Sequence, residues 1–322
     1  MRIVVVGAGL AGLTAARCLR DHHEVVVIDK GRGVGGRMAT RRMGDATLDH
    51  GAQFFTTHSD EFAAVVAGWQ SAGLAQPWFR GGLGPLGIAD ADGHTRFRGT
   101  ESMNAVAKHL AAGLDVRTGM AATSVSHADG SDEWTIAIGD HLLPADAVVL
   151  TPPVPQSLAL LAAGNVVLAT DDLAALTALR YEPCLAVLAE LDGPSGLREP
   201  GAVKPDDGPI EWMADNQRKG ISASPAVTIH ATADFSREHW SSPDEVVVAT
   251  LLAAAGLPAS ASAAQVQRWR YSRPVDVHPA RHLSAQGLPP LVFAGDAFGG
   301  AKVEGAVLSG RSAATALNTL PV

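Results

Sequence analysis

The sequence predicts an α/β fold with two domains: a dinucleotide-binding domain on a parallel sheet, and a second α+β domain with a mixed or antiparallel sheet. Three observations carry this expectation. Residues 2–6, Arg-Ile-Val-Val-Val, read as a buried strand that runs into Gly7-Ala8-Gly9-Leu10-Ala11-Gly12. Residues 10–20 place Leu10, Leu13, Ala16 and Leu19 on one helical face. Residues 24–29, Glu-Val-Val-Val-Ile-Asp, read as a second buried strand. Strand, glycine turn, helix and strand make a βαβ unit of Rossmann type, which implies parallel pairing.

Further along, residues 30–60 are rich in Gly, Arg and Thr and read as loop. A helix is expected over 60–72, a turn-rich hairpin over 80–98 and a helix over 102–112. Short strands are expected near 115–126, 133–139 and 147–150, the last stopped by Thr151-Pro152-Pro153. Residues 156–180 read as helical. Strands near 184–191, 211–214 and 226–232 give the second sheet, and a helix follows over 244–256. Residues 290–295 make one more buried strand and 303–317 a final helix, in the style of the first unit. The two chain ends are therefore assigned to one dinucleotide domain (1–60, 99–160 and 285–322), interrupted by a second domain (61–98 and 161–284) expected to bind the substrate.

Composition removes several classes. The 322 residues carry 25 basic and 33 acidic side chains, a net charge of -8, which opposes a nucleic-acid binder held by phosphate contacts. A hydrophobic content of 47% is that of a globular enzyme, not of a disordered chain. Cys18 and Cys184 form no Cys-x-x-Cys motif and are expected as buried free thiols in a reducing, cytoplasmic setting. The apolar run Val246 to Leu257 is too short to span a bilayer. His278 and His282 have helical ligand spacing, but Pro279 between them opposes a ligand-bearing helix, and no metal is expected.

Each glycine of the first run has a physical reason. Gly7 makes the turn out of the strand, Gly9 lets a pyrophosphate approach the backbone, and Gly12 lets helix and strand pack closely. The helix N-terminus adds free N–H groups and the positive end of its dipole. Asp29 closes the second strand and is placed to accept hydrogen bonds from a ribose. Gly82-Leu83-Gly84-Pro85-Leu86-Gly87 fits the same spacing, but no strand precedes it and it runs into the turn Asp90-Ala91-Asp92-Gly93. It reads as a chance match.

Directly after Asp29, Lys30-Gly31-Arg32-Gly33-Val34-Gly35-Gly36-Arg37 resembles the glycine–arginine segment of FAD enzymes of the amine-oxidase and p-hydroxybenzoate-hydroxylase superfamily. Gly295-Asp296 and the run Gly299 to Ala306 resemble its C-terminal flavin block, and Gly99 with Met103 its glycine–methionine segment. More narrowly, Gly36 to Arg42, Leu48 to Thr56, Thr228 to Ala231, Trp269-Arg270-Tyr271 and Ser309-Gly310 resemble the renalase family, especially its bacterial members. The resemblance implies non-covalent FAD. The contacts it implies are Gly7, Gly9, Ala11, Gly12, Asp29, Lys30, Gly36, Arg37, Met38, Gln53, Met103, Val125, Gly295, Asp296, Val303, Glu304, Gly305 and Ala306, with Val125 toward the adenine end.

The same resemblance implies an FAD-dependent oxidase acting on isomeric dihydro-NAD(P), the 2- or 6-dihydro forms. Hydride would pass to flavin N5, and O2 would reoxidise the flavin and yield H2O2. The implied substrate shell is Gln53, Asn216, His230, Trp269 and Tyr271. Plainer readings stand beside it: His230 as a hydrogen-bonded core histidine, Trp269 as core, and Asn216 as a turn residue. A flavin amine oxidase is the nearest rival, although no cysteine follows Cys184 to attach FAD near the C-terminal block. A flavin monooxygenase and a non-catalytic binding protein on the same fold are further alternatives. The expected partners are a dihydronicotinamide dinucleotide and O2, with no nucleic acid or membrane, for a monomer or homodimer.

Overall fold

Ile3 to Val6 are four β-branched residues in a row, and all four are buried in β1 (Arg2–Val6). In the computed structural model, which describes residues 1–88, 92–128 and 130–320, β1 is followed by α1 (Leu10–Leu19) and β2 (Glu24–Asp29). Next come β3 (Thr40–Met43), β4 (Ala46–Asp49), α2 (Asp60–Ser71), β5 (Ala75–Arg80), β6 (Leu83–Gly84), β7 (Gly87–Ile88) and β8 (Thr95–Gly99). The middle of the chain gives α3 (Asn104–Ala111), β9 (Asp115–Thr118), β10 (Ser124–His127), β11 (Trp134–Ile138), β12 (His141–Ala145), β13 (Ala147–Leu150), α4 (Val154–Ala163) and α5 (Thr170–Thr177). Then follow β14 (Tyr181–Leu191), β15 (Ala202–Val203), β16 (Ile210–Asp215), β17 (Ala226–Ala231), α6 (Ala233–Glu238) and α7 (Asp244–Ala255). The chain closes with β18 (Ala261–Pro274), β19 (Leu283–Ser284), β20 (Leu291–Phe293) and α8 (Lys302–Asn318).

Two units result. Unit 1 comprises Met1–Gly36, Ala107–Arg180 and Arg273–Val322. Its sheet runs β19-β20-β13-β1-β2-β9. The β13–β20, β1–β13, β1–β2 and β2–β9 pairs are parallel, as the βαβ reading predicts, and β19 is an antiparallel edge. A separate antiparallel meander, β10-β11-β12, belongs to the same unit. Helices α1 and α8 cross closely because Gly310 has no side chain: a Cβ there would lie 2.2 Å from the Ala11 carbonyl oxygen.

Unit 2 comprises Arg37–Val106 and Tyr181–Ser272. Its five-stranded sheet runs β15-β16-β17-β14-β18, with the β15–β16, β16–β17 and β14–β17 pairs antiparallel. Val247 and Leu251 of α7, one turn apart, are buried with Leu185, Val187, Val227 and Ile229 of the sheet in one apolar core. The β3–β4 hairpin joins this unit through a second cluster, in which Met43, Ala46 and Leu48 pack with Leu188 and Ala226.

The architecture agrees with the α/β expectation, and several details differ. Residues 37–60 and 99–106, expected with the dinucleotide domain, fall in unit 2; residues 161–180 and 273–284, expected with the substrate domain, fall in unit 1. Residues 30–60 are not all loop, because Thr40–Met43 and Ala46–Asp49 pair as a hairpin around Gly44 at φ +53. The helical stretch expected over 156–180 breaks at Gly164-Asn165, where Asn165 takes φ +58. Strands β12 and β18 were absent from the expectation, and β18 is the longest strand described. Its apolar Val266, Trp269 and Tyr271 are interspersed with Gln and Arg without a regular alternation of burial, which masks the strand pattern. Gly82–Gly87 forms part of the tight β6–β7 hairpin, consistent with a chance match to the fingerprint; Asp90 and Ala91 of the expected turn lie outside the described residues. Cys184 is buried as expected, but Cys18 is exposed on α1. Among the described residues no helix is long and apolar enough to cross a membrane, and no group of three or more His, Cys, Asp or Glu is arranged to hold a metal.

Candidate functional site

In unit 1, the loop between β1 and α1 forms a cradle. Gly7 takes φ +105, and a Cβ there would meet the Thr151 hydroxyl at 2.5 Å. That hydroxyl donates to the carbonyl oxygens of Val6 and Gly7 and so closes the turn. A Cβ on Gly12 would lie 2.0 Å from the Gly7 carbonyl oxygen, so close helix–strand packing requires glycine. Gly9 is different: its backbone is extended and nothing lies within 4 Å of an added Cβ. The loop is therefore open at Gly9, where the fingerprint expects phosphate. No side chain caps α1 at its N-terminus and no acidic residue lies in its first turn. Its leading N–H groups and dipole are thus available to an anion.

Asp29 ties this loop to the next. Its carboxylate accepts from Ala8 N–H at 2.7 Å and from Gly31 N–H at 2.6 Å. One lone pair on each oxygen remains for a ribose hydroxyl. The glycine–arginine segment crosses the cradle, with Gly35 N–H donating to the Ala8 carbonyl and Gly36 turning at φ +53 against Gly9. The Lys30 ammonium lies 3.4 Å from Gln156 on the surface. Ala11 serves the crossing of α1 with α8, and Val125 is fully buried in β10.

The C-terminal block of unit 1 repeats the device. Gly295 takes φ +147 and its N–H donates to Ser309 Oγ. Gly299 and Gly300 take φ +69 and φ +153. A Cβ on Gly305 would lie 1.6 Å from the Gly300 carbonyl oxygen, so this loop folds directly onto α8. Helix α8 also starts without a side-chain cap, and Val303, Glu304, Gly305 and Ala306 form its first turn after the buried Asp296.

In unit 2, a second cluster gathers around Asp49 and His50. Both Asp49 and Lys219 have fully buried side chains, and Lys219 Nζ lies 2.7 Å from Asp49 Oδ2. Asp49 Oδ1 accepts from the Thr40 hydroxyl at 2.6 Å and from Met103 N–H at 3.0 Å. The Asp49 carbonyl accepts from Gln53 Nε2 at 2.6 Å and from the Thr228 hydroxyl at 2.9 Å. The next carbonyl, of His50, accepts from His230 Nε2 at 3.2 Å and from Trp269 Nε1 at 2.9 Å. The His50 ring stacks on Trp269 at a centroid distance of 5.4 Å. Two adjacent carbonyls therefore hold Gln53, His230 and Trp269, three of the five expected shell residues.

The remaining two behave otherwise. Asn216 is fully buried and spent within the protein: its Oδ1 accepts from Asp49 N–H and its Nδ2 donates to the Thr228 hydroxyl. It is a bridge between strands, and a substrate-contacting role is not available to it in this arrangement. Tyr271, two residues beyond Trp269, meets Tyr181 edge-on at 5.7 Å and bonds to none of the cluster. Among the expected cofactor contacts, Arg37, Met38, Gln53 and Met103 belong to unit 2. Arg37 Nη1 donates to the Ser272 carbonyl, and its own carbonyl faces Gly51 so closely that a Cβ there would be 2.0 Å away.

Burial sets the electrostatics of this cluster. It pushes His50 down to about 4, with the Arg41 charge adding to the effect, and pushes His230 down to about 4. Both rings are neutral near neutral pH. Burial also lowers the Lys219 ammonium, and Asp49 opposes that shift. Gln53 Oε1 and His50 Nδ1 are buried without any partner. Such atoms cost about 1–3 kcal/mol each unless a ligand satisfies them.

His50, Lys219 and Thr228 were not among the expected site residues. His50 lies inside the segment Leu48 to Thr56 that carried the resemblance, which was its available signal. Lys219 follows Gln217-Arg218, where three polar residues before Gly220 read as a solvated turn.

Residues 5–68 match a model of the NAD(P)-binding Rossmann-like domain, and residues 79–318 match the model of the flavin containing amine oxidoreductases. The chain belongs to that family of flavin-containing amine oxidoreductases. A protein of Mycobacterium tuberculosis assigned as a flavin-containing monoamine oxidase, AofH, is 45% identical over 65 residues, a match that spans 20% of this chain and 14% of that relative. A putrescine oxidase variant shares the fold with a TM-score of 0.73 at 15% identity, covering 99% of each chain. An oxidoreductase of Methanosarcina mazei superposes with a TM-score of 0.63 at 15% identity, covering 97% of this chain and 99% of that one.

The family is one of flavin-containing oxidoreductases, and unit 1 fits a flavin dinucleotide on its own evidence. The open face at Gly9 and the uncapped start of α1 suit the diphosphate, Asp29 suits a ribose, and the uncapped α8 turn after Gly295-Asp296 suits the flavin end.

Proposed function

We propose that this oxidoreductase oxidises isomeric dihydronicotinamide dinucleotides, the 2- or 6-dihydro forms, to NAD(P)+, with O2 as final acceptor. Bound FAD supplies a two-electron acceptor that O2 reoxidises to H2O2. The chain's own residues bind, orient and exclude water. A dihydropyridine already carries the electron pair that leaves as hydride, so no protein base is required, and placement is the main task. Neutral imidazoles and an indole suit that task. With Nε2 of His230 donating to the His50 carbonyl, the neutral ring keeps Nδ1 as an acceptor. Gln53 keeps an unpartnered Oε1 because its Nε2 is held by the carbonyls of Asp49 and Gly51. Both acceptors are suited to a carboxamide N–H.

The observation that carries this reading over amine oxidation is the state of Asp49. It is the carboxylate of the cluster, and its oxygens are taken by Lys219, Thr40 and Met103, so it offers nothing to an ammonium ion. The aromatic group nearby favours the rival: Phe54 meets Trp212 at 5.1 Å and Trp78 meets Phe79 at 5.0 Å, as a cage for an amine would require. Yet protein cations already face these rings, Lys219 over Trp78 at 5.1 Å and Arg96 over Phe54 at 5.9 Å. Anaerobic mixing with each substrate class tests the choice. Rapid bleaching of the flavin by 2- or 6-dihydro-NAD(P), and none by putrescine or benzylamine, is expected. Rapid bleaching by an amine would reverse it.

A further inference from the structure

The proposed reaction gives no task to Lys219, whose side chain is fully buried. We infer that Lys219, through its ion pair with Asp49, is a positioning residue that holds the turn carrying His50 and Gln53. The assignment of those two side chains to substrate rests on the proposed function; the holding of the turn does not.

Every polar atom of Asp49 is engaged. Its N–H donates to Asn216, its carbonyl accepts from Gln53 and Thr228, and Oδ1 accepts from Thr40 and Met103. Oδ2 has the Lys219 ammonium, which reaches it from a different segment of unit 2. Without Lys219, Asp49 would be a fully buried carboxylate hydrogen-bonded by neutral donors alone, with Arg98 the remaining cation acting on it from further away. Burial of that kind drives a carboxylate to take up a proton or to reorient toward water. Either response loosens the backbone whose carbonyls hold Gln53, His230 and Trp269. An apolar pair of the same volume would pack as well, so what the charges add is a fixed register for this turn.

Ring titration of His50 by NMR, in the FAD-loaded enzyme, reads this without any substrate. The charged and titratable groups acting most strongly on His50 are Arg41, Asp49 and His230. Loss of the Lys219 charge would by itself raise His50, so its rise is read together with Asp49→Asn, where loss of charge alone lowers it. In Lys219→Met, His50 is expected to rise from about 4 toward the ordinary 6.5 as the turn opens to water. In Asp49→Asn/Lys219→Met, which restores charge balance and keeps the acceptor for Thr40 and Met103, it is expected to return to about 4. Flavin reduction at saturating dihydronicotinamide should fall roughly 100-fold in the single variant, the scale of a small misplacement, and recover in the double. An unchanged His50 in Lys219→Met overturns the inference. Should that variant fail to fold, Asp49→Asn decides. Loss of the Asp49 charge alone would push His50 lower, so a rise supports release of the turn and a fall overturns it. A wild-type flavin that dihydronicotinamides do not reduce refutes the proposed function, while the His50 titration still judges this inference.

Discussion

Gly9 caps the start of α1 and Gly12 lies in its first turn, and the structure predicts opposite reasons for their failure when changed to alanine. At Gly12 a Cβ would sit 2.0 Å from the Gly7 carbonyl oxygen, where ordinary contact begins at 3.4 Å, so 3.4 − 2.0 = 1.4 Å of separation must be created in packed backbone. Overpacking of this kind costs about 1–3 kcal/mol, or roughly 2–6 °C in melting temperature for a chain of this size. At Gly9 the added Cβ meets nothing within 4 Å and the φ of -79 is ordinary for alanine. The protein alone should lose less than about 0.5 kcal/mol there. A methyl group in the open face would instead displace a phosphate from backbone N–H groups. Losing one charge-assisted hydrogen bond, about 1.5–3 kcal/mol, weakens FAD roughly 10- to 100-fold. The assay is the melting temperature of the apoprotein together with FAD affinity by flavin titration. Gly12→Ala should lower both, and Gly9→Ala only the second. A Gly9→Ala enzyme that binds FAD like the wild type would refute the placement of phosphate, and a lowered apoprotein melt would refute the open-face argument.

Acid precipitation should leave the yellow flavin in solution; flavin remaining on the pellet would contradict non-covalent FAD. Asp29→Ala removes the acceptor for two loop N–H groups, so about 1–3 kcal/mol of stability and most of the FAD retention should go together. Full flavin content in that variant would exclude a ribose role. His50 and His230 are held near 4 against an ordinary 6.5, so the unfolded chain binds more protons between those values. Stability present above pH 6.5 is therefore lost as the pH falls toward about 4, by at most about 3 to 3.5 kcal/mol per ring. Denaturant melts across that window should show a shallower acid loss in His230→Gln, and identical slopes would remove the histidine from the account.

The dinucleotide half was legible because local physics dictates it. A β-branched run can be read as a buried strand, and glycines required by φ +105 at Gly7 or by a 2.0 Å approach at Gly12 occur at fixed spacing from it. The hairpin Thr40–Met43 and Ala46–Asp49 was hidden because Arg41 and Arg42 interrupt its apolar pattern, and Arg41 is held by Gln265 and Gln267 of a distant strand. Likewise Asn216 and His230 could be proposed from sequence, but their separate fates depend on pairing. Asn216 ends up between Asp49 and Thr228, whereas His230 keeps a ring nitrogen beyond its bond to the His50 carbonyl. Lys219 was unreadable for the same reason, since nothing in its own segment announces a carboxylate from residue 49.

Charge balance in the cluster bears on turnover as well as on substrate choice. In the proposed reaction a neutral dihydropyridine becomes a pyridinium cation in the same place. A free carboxylate there would attract the product and slow its departure, while an unpaired ammonium would oppose the developing charge. Asp49 and Lys219, at 2.7 Å, cancel each other, and His50 and His230 are neutral near neutral pH. Binding then rests on stacking and on hydrogen bonds that substrate and product share, so the product gains no electrostatic hold. NAD(P)+ should accordingly bind no more tightly than the dihydro substrate, measured as inhibition against flavin reduction. An enzyme that binds NAD(P)+ far more tightly than its substrate would mean that an anion faces the pyridinium ring, and Asp49 would then have to be free of Lys219.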